Sequence, residues 1–327
     1  MYNSGILNEA FSLQRFHFLL CGLCGKIVFM SKRIIIAGGS GFVGQVLSNS
    51  LSAVGYDVEI LTRGPDAPGR IHWDGKPDSP WVQAISGTQA VINLVGENVA
   101  EGAWTLEKKR RIRDSRVGSV KAIVEAIDAA VEPPAVLMQA SATGIYGDTA
   151  DVEIDEACPY GSGFLADVCK EWEMQAHYVT EYGVRLCLLR LGLVLGPDGG
   201  VLQKVLPPFK MGVGGHLGNG KQWMSWIHLA DIVGAIRHLL ENDKLDGAFN
   251  LTAPQPLQGK EFFTTLAKIL KRPCFMHVPE FALKTAFGQM AREMLLSSQR
   301  VLPQRLLKSG YVFQYNELER ALSDLVG

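Results

Sequence analysis

The sequence predicts an α/β protein with a doubly wound parallel sheet and a small, mainly helical C-terminal substrate domain. Three observations predict it. A short apolar strand at residues 33–37 ends in a glycine-rich turn that runs directly into a helix, predicted over residues 45–54. Strand and helix patterns then alternate as far as residue 190, which is typical of parallel sheets with crossover helices. Beyond residue 190 glycine and proline interrupt the chain, and the last stretch is again helical in its periodicity.

The glycine turn contains Gly38, Gly41 and Gly44 in a G-x-x-G-x-x-G spacing. The first glycine allows a tight turn off the strand, the second lets the backbone approach a pyrophosphate, and the third lets the helix pack closely. The helix N-terminus directs unpaired N–H groups and a partial positive charge at phosphates. A glycine-rich turn without a ligand is the alternative, but the position between a strand and a helix favours a Rossmann-type dinucleotide site.

The second strand, at residues 57–63, ends in Thr62 and Arg63. In NAD-binding sites of this type an acidic residue there hydrogen-bonds the ribose 2′-hydroxyl. A guanidinium in that place binds a 2′-phosphate, whereas a carboxylate would repel it. Arg63 is also compatible with a solvated loop. Its position after the second strand favours NADP over NAD.

The next elements are a short third strand at residues 70–74 and a buried fourth strand at residues 90–98. The strand end at Leu94, Val95 and Gly96 is expected in the crevice where open α/β sheets bind ligands. A long charged helix follows over residues 105–131. Its outer charged half is consistent with a solvated face, whereas Arg116 lies nearer the sheet and is better placed to meet a phosphate.

The rest of the alternation is a fifth strand at residues 135–140, a helix at 164–181 and a strand at 184–190. An α/β barrel is less consistent with the sequence because the glycine fingerprint lies on the first strand. Residues 190–197 and 206–215 are predicted to be loops that close over a pocket. Helices are predicted from about residue 226, over 261–270 and over 281–296.

These patterns suggest a domain organisation. We expect an NADP-binding domain over residues 31–195, to which residues 222–252 return, and substrate-side loops and helices over 196–221 and 253–327. Residues 1–30 are expected to be a disordered or mis-started extension. Residues 16–29 are apolar but too short and too often interrupted to span a bilayer, and no cleavage site is evident.

The net charge and the cysteine content limit the kinds of partner that the sequence predicts. The chain has 327 residues and a formal net charge of −1, which gives no electrostatic reason to expect nucleic acid or an acidic membrane surface. Four of its six cysteines are scattered as in reduced cytosolic proteins. Cys21 and Cys24 have the C-x-x-C spacing of a redox or metal site, but nothing nearby completes a zinc site, so no metal site is predicted. We expect a cytoplasmic monomer or homodimer that binds a small-molecule substrate.

Several ordered motifs resemble the extended short-chain dehydrogenase/reductases, and most closely their atypical branch described as NAD(P)-dependent nucleotide-sugar epimerases. The shared motifs lie at residues 38–44, 93–98, 114–116, 141–147, 190–196, 206–209, 226–231 and 299–303. The resemblance covers about residues 32–327 and implies a bound NADP(H). From the residues and the resemblance together, the predicted cofactor-binding residues are Gly38, Gly41, Phe42, Val43, Gly44, Thr62, Arg63, Leu94, Val95, Gly96, Arg116 and Leu193.

The catalytic pair of the wider family is missing. Active members use a Tyr-x-x-x-Lys pair with a Ser or Thr, but no tyrosine here has a lysine four residues later. Alignment through Trp172 and Glu173 puts Leu165 and Cys169 at the two positions. Three other residues could replace the missing pair. Lys170 is expected on the solvated face of its helix, His228 at a helix cap, and Glu97 facing the crevice.

Ser141, at the end of the fifth strand, and Tyr146 are the predicted catalytic residues, although strand-end hydrogen bonding and packing are open alternatives for them. The predicted function is oxidoreductase or epimerase chemistry on a nucleotide sugar or another small hydroxyl or carbonyl compound. The rival is a non-catalytic NADP(H)-binding protein that senses redox state or binds a partner.

Overall fold

Seven parallel strands form the central sheet of the computed structural model, which describes residues 32–76 and 79–327. The extension expected at residues 1–30 lies outside the described residues. The strands are β1 (Arg33–Ala37), β2 (Asp57–Thr62), β3 (Arg70–His72), β4 (Ala90–Asn93), β5 (Val136–Ala142), β6 (Arg185–Leu191) and β7 (Gly247–Leu251). Their spatial order is β7-β6-β5-β4-β1-β2-β3. This is the order of a Rossmann sheet with one further strand at the β6 edge, so the predicted fold class is confirmed.

Helices cover both faces of this sheet. In the part of the chain that the structure describes, the α-helices are α1 (Phe42–Ala53), α2 (Trp81–Ile85), α3 (Leu106–Asp128), α4 (Phe164–His177), α5 (Leu202–Lys210), α6 (Leu229–Glu241), α7 (Gly259–Leu270), α8 (Glu280–Phe287), α9 (Gln304–Lys308) and α10 (Leu318–Val326). No helix within that part has both the length and the apolar character needed to cross a bilayer.

The first strand shows how the two faces divide. Ile35 packs in a core with α2, α3 and α4, whereas Ile34 and Ile36 pack on the opposite side with α1 and α6. All three side chains are fully buried. A strand covered on both faces must be apolar at every position, which is why β1 and β4 read as continuous hydrophobic runs.

A third hydrophobic core lies in the C-terminal part of the chain. It contains Trp226, Phe209 and Phe262 from separate segments, together with the apolar face of α10. Short strand pairs connect this part, including Glu153–Ile154 with Arg300–Val301. The C-terminal part is mainly helical, as predicted. The residue boundaries of the two expected domains stay a prediction.

Two segments predicted as loops are regular. Leu193–Gly196 is a strand that pairs with Trp226–His228 and Gly199–Gly200. Residues 202–210 form α5 although Pro207 and Pro208 lie inside it. Each proline removes an N–H that would have bonded the carbonyl four residues earlier. Those carbonyls belong to Gln203 and Lys204, which are exposed, so solvent can satisfy them and the helix persists.

The predicted helix over residues 281–296 is interrupted. α8 ends at Phe287, Gly288 has a φ of +56°, and the chain resumes as a short π-helical turn at Ala291–Leu295. The apolar periodicity continues across the break, and a glycine in a helical pattern is only a weak sign of a helix end. The α4 helix is likewise shorter than predicted, since Tyr178–Tyr182 is a 3₁₀ helix.

Asp231 ties the C-terminal segment to the sheet domain. It lies in the first turn of α6 and is fully buried. Its Oδ1 accepts hydrogen bonds from the Gln314 amide (2.7 Å) and the Tyr311 hydroxyl (3.0 Å). Its Oδ2 accepts from the Tyr315 amide at 2.9 Å. A buried carboxylate with this many donors is stabilised as an anion, and the first turn of a helix favours its charge.

We expect Asp231→Asn to lower the free energy of unfolding by about 2–3 kcal/mol, because one acceptor becomes a donor facing buried N–H groups. Urea denaturation followed by circular dichroism measures this change. Asp243→Ala is the control, since Asp243 is exposed, and should change stability by less than about 0.5 kcal/mol. Equal effects of the two substitutions would contradict the role of Asp231.

Candidate functional site

The turn between β1 and α1 leaves no room for a side chain at Gly38 or Gly44. Gly38 has a φ of +80°, and a Cβ there would lie 3.0 Å from the Leu94 carbonyl carbon. A Cβ on Gly44 would overlap the Gly38 carbonyl oxygen. The Gly41 amide donates to that same oxygen at 3.0 Å. Gly41 has no side chain with which to cap α1, and the first turn of α1 contains no acidic residue. The N–H groups at the start of α1 are therefore suited to an external anion.

Phe42 and Val43 have packing roles beside this turn. The Phe42 ring lies against Gly196, Gly199 and Gly200, where an added Cβ would meet the ring. These glycines belong to the hairpin that begins at Leu193. Val43 packs on the core that α1 shares with α6. The ring thus fixes the hairpin containing the predicted cofactor residue Leu193 beside the glycine turn.

The end of β2 reaches the same edge of the sheet. Ala37 pairs with Leu61, so Gly38 and Thr62 follow at adjacent positions. The Thr62 hydroxyl accepts a hydrogen bond from the Gly64 amide at 3.2 Å. Arg63 is exposed, and within residues 32–76 and 79–327 its guanidinium has no hydrogen bond or ion pair. In the described part of the chain, the Arg63 guanidinium is therefore a cation without a protein partner, in the residue that follows Thr62 at this edge of the sheet.

The end of β4 forms the neighbouring wall. Asn93 is fully buried, donates to Gln139 Oε1 (2.9 Å) and accepts from the Val95 amide (3.1 Å). This bond fixes the path of the chain through Leu94 and Val95, which are both partly buried. Gly38 lies directly against Leu94, so the ends of β1 and β4 are in contact.

Arg116 lies beside Gly96 but is not free. Its guanidinium donates to the carbonyls of Glu97 and Ile112, each at 3.1 Å. It lies 5.2 Å above the Trp172 ring, and a Cβ on Gly96 would be 3.0 Å from its Cζ. Burial lowers the pKa of this guanidinium. Arg116 is therefore a positioned, mostly desolvated cation between the end of β4 and helix α4.

Ser141 and Tyr146 belong to a buried set of polar side chains, which we call the Glu173–Arg190 network. Glu173 and Arg190 form an ion pair with distances of 2.8 and 2.9 Å, and their side chains are 1% and 3% exposed. Ser141 Oγ donates to Glu173 Oε1 at 2.6 Å. Arg190 donates to the Tyr146 hydroxyl, which donates to Asn250 Oδ1, both at 2.8 Å.

This network bears directly on the predicted catalytic residues. Ser141 is buried and its hydroxyl is committed to Glu173. Burial raises the pKa of Tyr146 to about 12, so its phenol is protonated at neutral pH and is a poor base. Both side chains have the strand-end and packing roles that the sequence left open. Their catalytic assignment stays a prediction.

The positions of the missing Tyr-x-x-x-Lys pair hold no acid or base. Cys169 is buried, and burial raises the pKa of its thiol to about 12. Leu165 lines a pocket next to β5. Of the other substitutes, Lys170 pairs with Asp167 on the helix surface. His228 caps α6 by accepting from the Ala230 amide at 3.1 Å, as predicted.

The structure places further residues at the site that are not among the predicted ones. Glu293 accepts hydrogen bonds from the Phe164 (3.1 Å) and Leu165 (2.9 Å) amides, so it caps α4 from a segment far along the chain. The Thr143 hydroxyl donates to Gln299 Oε1 at 2.9 Å. Gln299 and Glu293 line the same pocket as Leu165. The motif at residues 299–303 marked this region, but no local pattern indicates that it meets α4.

We expect Glu173→Ala to destabilise the fold by about 3–5 kcal/mol, because the buried Arg190 loses its counter-charge. Ser141→Ala removes one hydrogen bond while keeping the ion pair and should cost about 1 kcal/mol. Glu171→Ala is the matched control, since it removes only a surface pair with Arg113. The free energies come from urea denaturation. A Glu173→Ala protein as stable as Glu171→Ala would show that the ion pair is dispensable.

Comparison with known proteins agrees with this geometry. The model of the NAD dependent epimerase/dehydratase family matches residues 34–252, and a domain of unknown function, DUF1731, matches residues 278–325. An epimerase family protein of Mycobacterium bovis is 38% identical over 291 residues, which are 88% of this chain and 96% of that protein. The human epimerase family protein SDR39U1 is 33% identical over 297 residues, which are 90% of this chain and 99% of that protein.

Solved structures extend the comparison. The crystal structure of human SDR39U1 (isoform 2) with NADPH superposes with a TM-score of 0.83 and 32% identity, covering 90% of this chain and 98% of that one. A nucleoside-diphosphate sugar epimerase from Corynebacterium glutamicum gives a TM-score of 0.73 and 28% identity, covering 90% of this chain and 58% of that one. The family match, the fold and the glycine turn agree, and the chain belongs to the NAD dependent epimerase/dehydratase family.

Proposed function

We propose that the chain binds NADP(H) where β1 turns into α1 and uses it in oxidoreduction or epimerisation of a small hydroxyl or carbonyl compound. The observation that carries this proposal is the glycine turn with an uncommitted Arg63 beside it. A 2′-phosphate is the feature that distinguishes NADP from NAD, and a guanidinium binds it through two parallel hydrogen bonds. The human relative solved with NADPH supports the same cofactor.

The residues at the sheet edge fit this cofactor. At Gly38 and Gly44 the backbone segments pack so closely that a Cβ would run into main-chain atoms, and the uncapped start of α1 suits a pyrophosphate. Thr62 and Arg63 would hold the adenosine end. Leu94, Val95 and Leu193 would provide apolar walls that exclude water.

When bound, NADP(H) supplies or accepts the hydride, which leaves proton transfer and charge stabilisation to the protein and substrate. The lysine of the wider family is replaced by Cys169 on α4, and the Lys170 ammonium pairs with Asp167, but the positive charge of Arg116 on α3 acts on the buried Cys169 thiol. A desolvated cation favours a nearby oxygen in its deprotonated form. We assign to Arg116 the charge-stabilising role of the missing lysine.

The second candidate function is a non-catalytic NADP(H)-binding protein that senses redox state or binds a partner. A specific observation favours it: no acid–base couple stands at Leu165 and Cys169, and the hydroxyls of Ser141 and Tyr146 are bonded within the protein. Such a protein would bind the cofactor tightly and leave it unchanged.

We expect Arg63→Ala to weaken NADP(H) binding by about 1–3 kcal/mol and NAD(H) binding hardly at all, because one charge-assisted contact to the 2′-phosphate is lost. Isothermal titration calorimetry with all four nucleotides measures this. Arg272→Ala, at an exposed arginine, serves as the control. Equal weakening of both cofactors would mean that Arg63 does not bind the 2′-phosphate.

The catalytic proposal predicts that NADPH is consumed when the protein is offered a panel of carbonyl compounds and sugar nucleotides. We expect Arg116→Gln to lower kcat by about 10²-fold or more, the scale of a lost charge-stabilising group, and Arg116→Lys to retain more activity. Ser141→Ala tests the predicted substrate contact in the same assay. Tight cofactor binding without turnover across the panel favours the non-catalytic function.

A further inference from the structure

A pocket next to β5 has the size of a small polar molecule. It encloses about 200 Å³, less than the roughly 300–1,000 Å³ of sites for drug-sized ligands. Gly144 and Gly147 from the turn after β5 form one side, Leu165 from α4 forms another, and Gln299 comes from the C-terminal part. Its volume suits a monosaccharide-sized group and not a whole nucleotide sugar.

Arg292 is the available positive charge in this pocket. Among the residues that the structure describes, its exposed guanidinium has no hydrogen bond or ion pair, yet it lines the pocket. Ser162 and Ser297 line the same space, and the Ser297 hydroxyl donates to the Gly147 carbonyl at 3.5 Å. A guanidinium that has no protein partner is well suited to bind an anionic oxygen group.

The two carboxylates of the pocket are already committed. Glu293 accepts from the first amides of α4 and from Gln289, so the positive end of the helix offsets its charge. Asp148 Oδ1 accepts from the amides of Ala150 (3.1 Å) and Ser298 (3.3 Å). The two carboxylates still repel a second negative charge on a ligand. A singly charged carboxylate therefore fits this pocket better than a doubly charged phosphate.

We propose that Arg292 binds a substrate carboxylate and that the substrate is a small hydroxy or oxo acid no larger than a sugar acid. The inference rests on the proposed function, because it takes this pocket as the substrate side of the NADP(H) site. It makes Arg292 a specificity-determining residue.

Calorimetry on the full chain tests this with matched probes that cannot react. D-Gluconate and D-glucitol are titrated into the NADPH-loaded protein, and 2-oxobutanoate and its methyl ester into the NADP⁺-loaded protein. We expect at least one acid to bind on the order of ten-fold to a hundred-fold more tightly than its neutral counterpart, the range of one charge-assisted contact. Arg292→Gln should remove this preference, Arg292→Lys should keep part of it, and Arg272→Gln should behave as wild type.

Three results would overturn the inference: no acid binds the loaded protein, acids and neutral counterparts bind equally, or Arg292→Gln keeps the preference. Each leaves NADP(H) binding intact and so leaves the proposed cofactor site standing. Failure of the wild-type protein to bind NADP(H) contradicts the proposed function itself, and this inference with it.

Discussion

The contact between the ends of β1 and β4 is the constraint on which the site depends. Gly38 lies so close to Leu94, and Gly44 so close to Gly38, that neither position has space for a methyl group. This close approach brings the start of α1 and the ends of β2 and β4 to one edge of the sheet. The helix end and the neighbouring cation that the proposed dinucleotide site would use follow from that steric arrangement.

A second constraint fixes the other side of the crevice. The buried ion pair of Glu173 and Arg190 joins the end of β6 to α4, and the hydrogen bond from Ser141 to Glu173 joins the end of β5 to it. Removing one partner of such a pair is strongly destabilising, because it leaves the other charge buried without a counter-charge. In this chain the network also contains Ser141 and Tyr146, the predicted catalytic residues, so each of them has a structural partner whatever its part in catalysis.

The elements that local patterns specify were predicted well. The glycine turn, the apolar strands and the cap of α6 at His228 follow from periodicity and short motifs, and the structure confirms them. α5 was missed because two prolines outweighed the apolar spacing. The capping of α4 by Glu293 and the bond between Thr143 and Gln299 join residues more than 125 positions apart. No sequence window contains both partners of such a contact, so only the fold reveals them.

The cap on α4 has a consequence for the order in which the protein assembles. The first amides of this helix find their acceptors 128 and 129 residues later in the chain. During synthesis the helix emerges well before Glu293 exists, and closing so long a loop is slow compared with forming a helix. The Phe164 and Leu165 amides become protected from hydrogen exchange by Glu293 only when the last quarter of the chain docks. Their protection therefore reports the completion of folding.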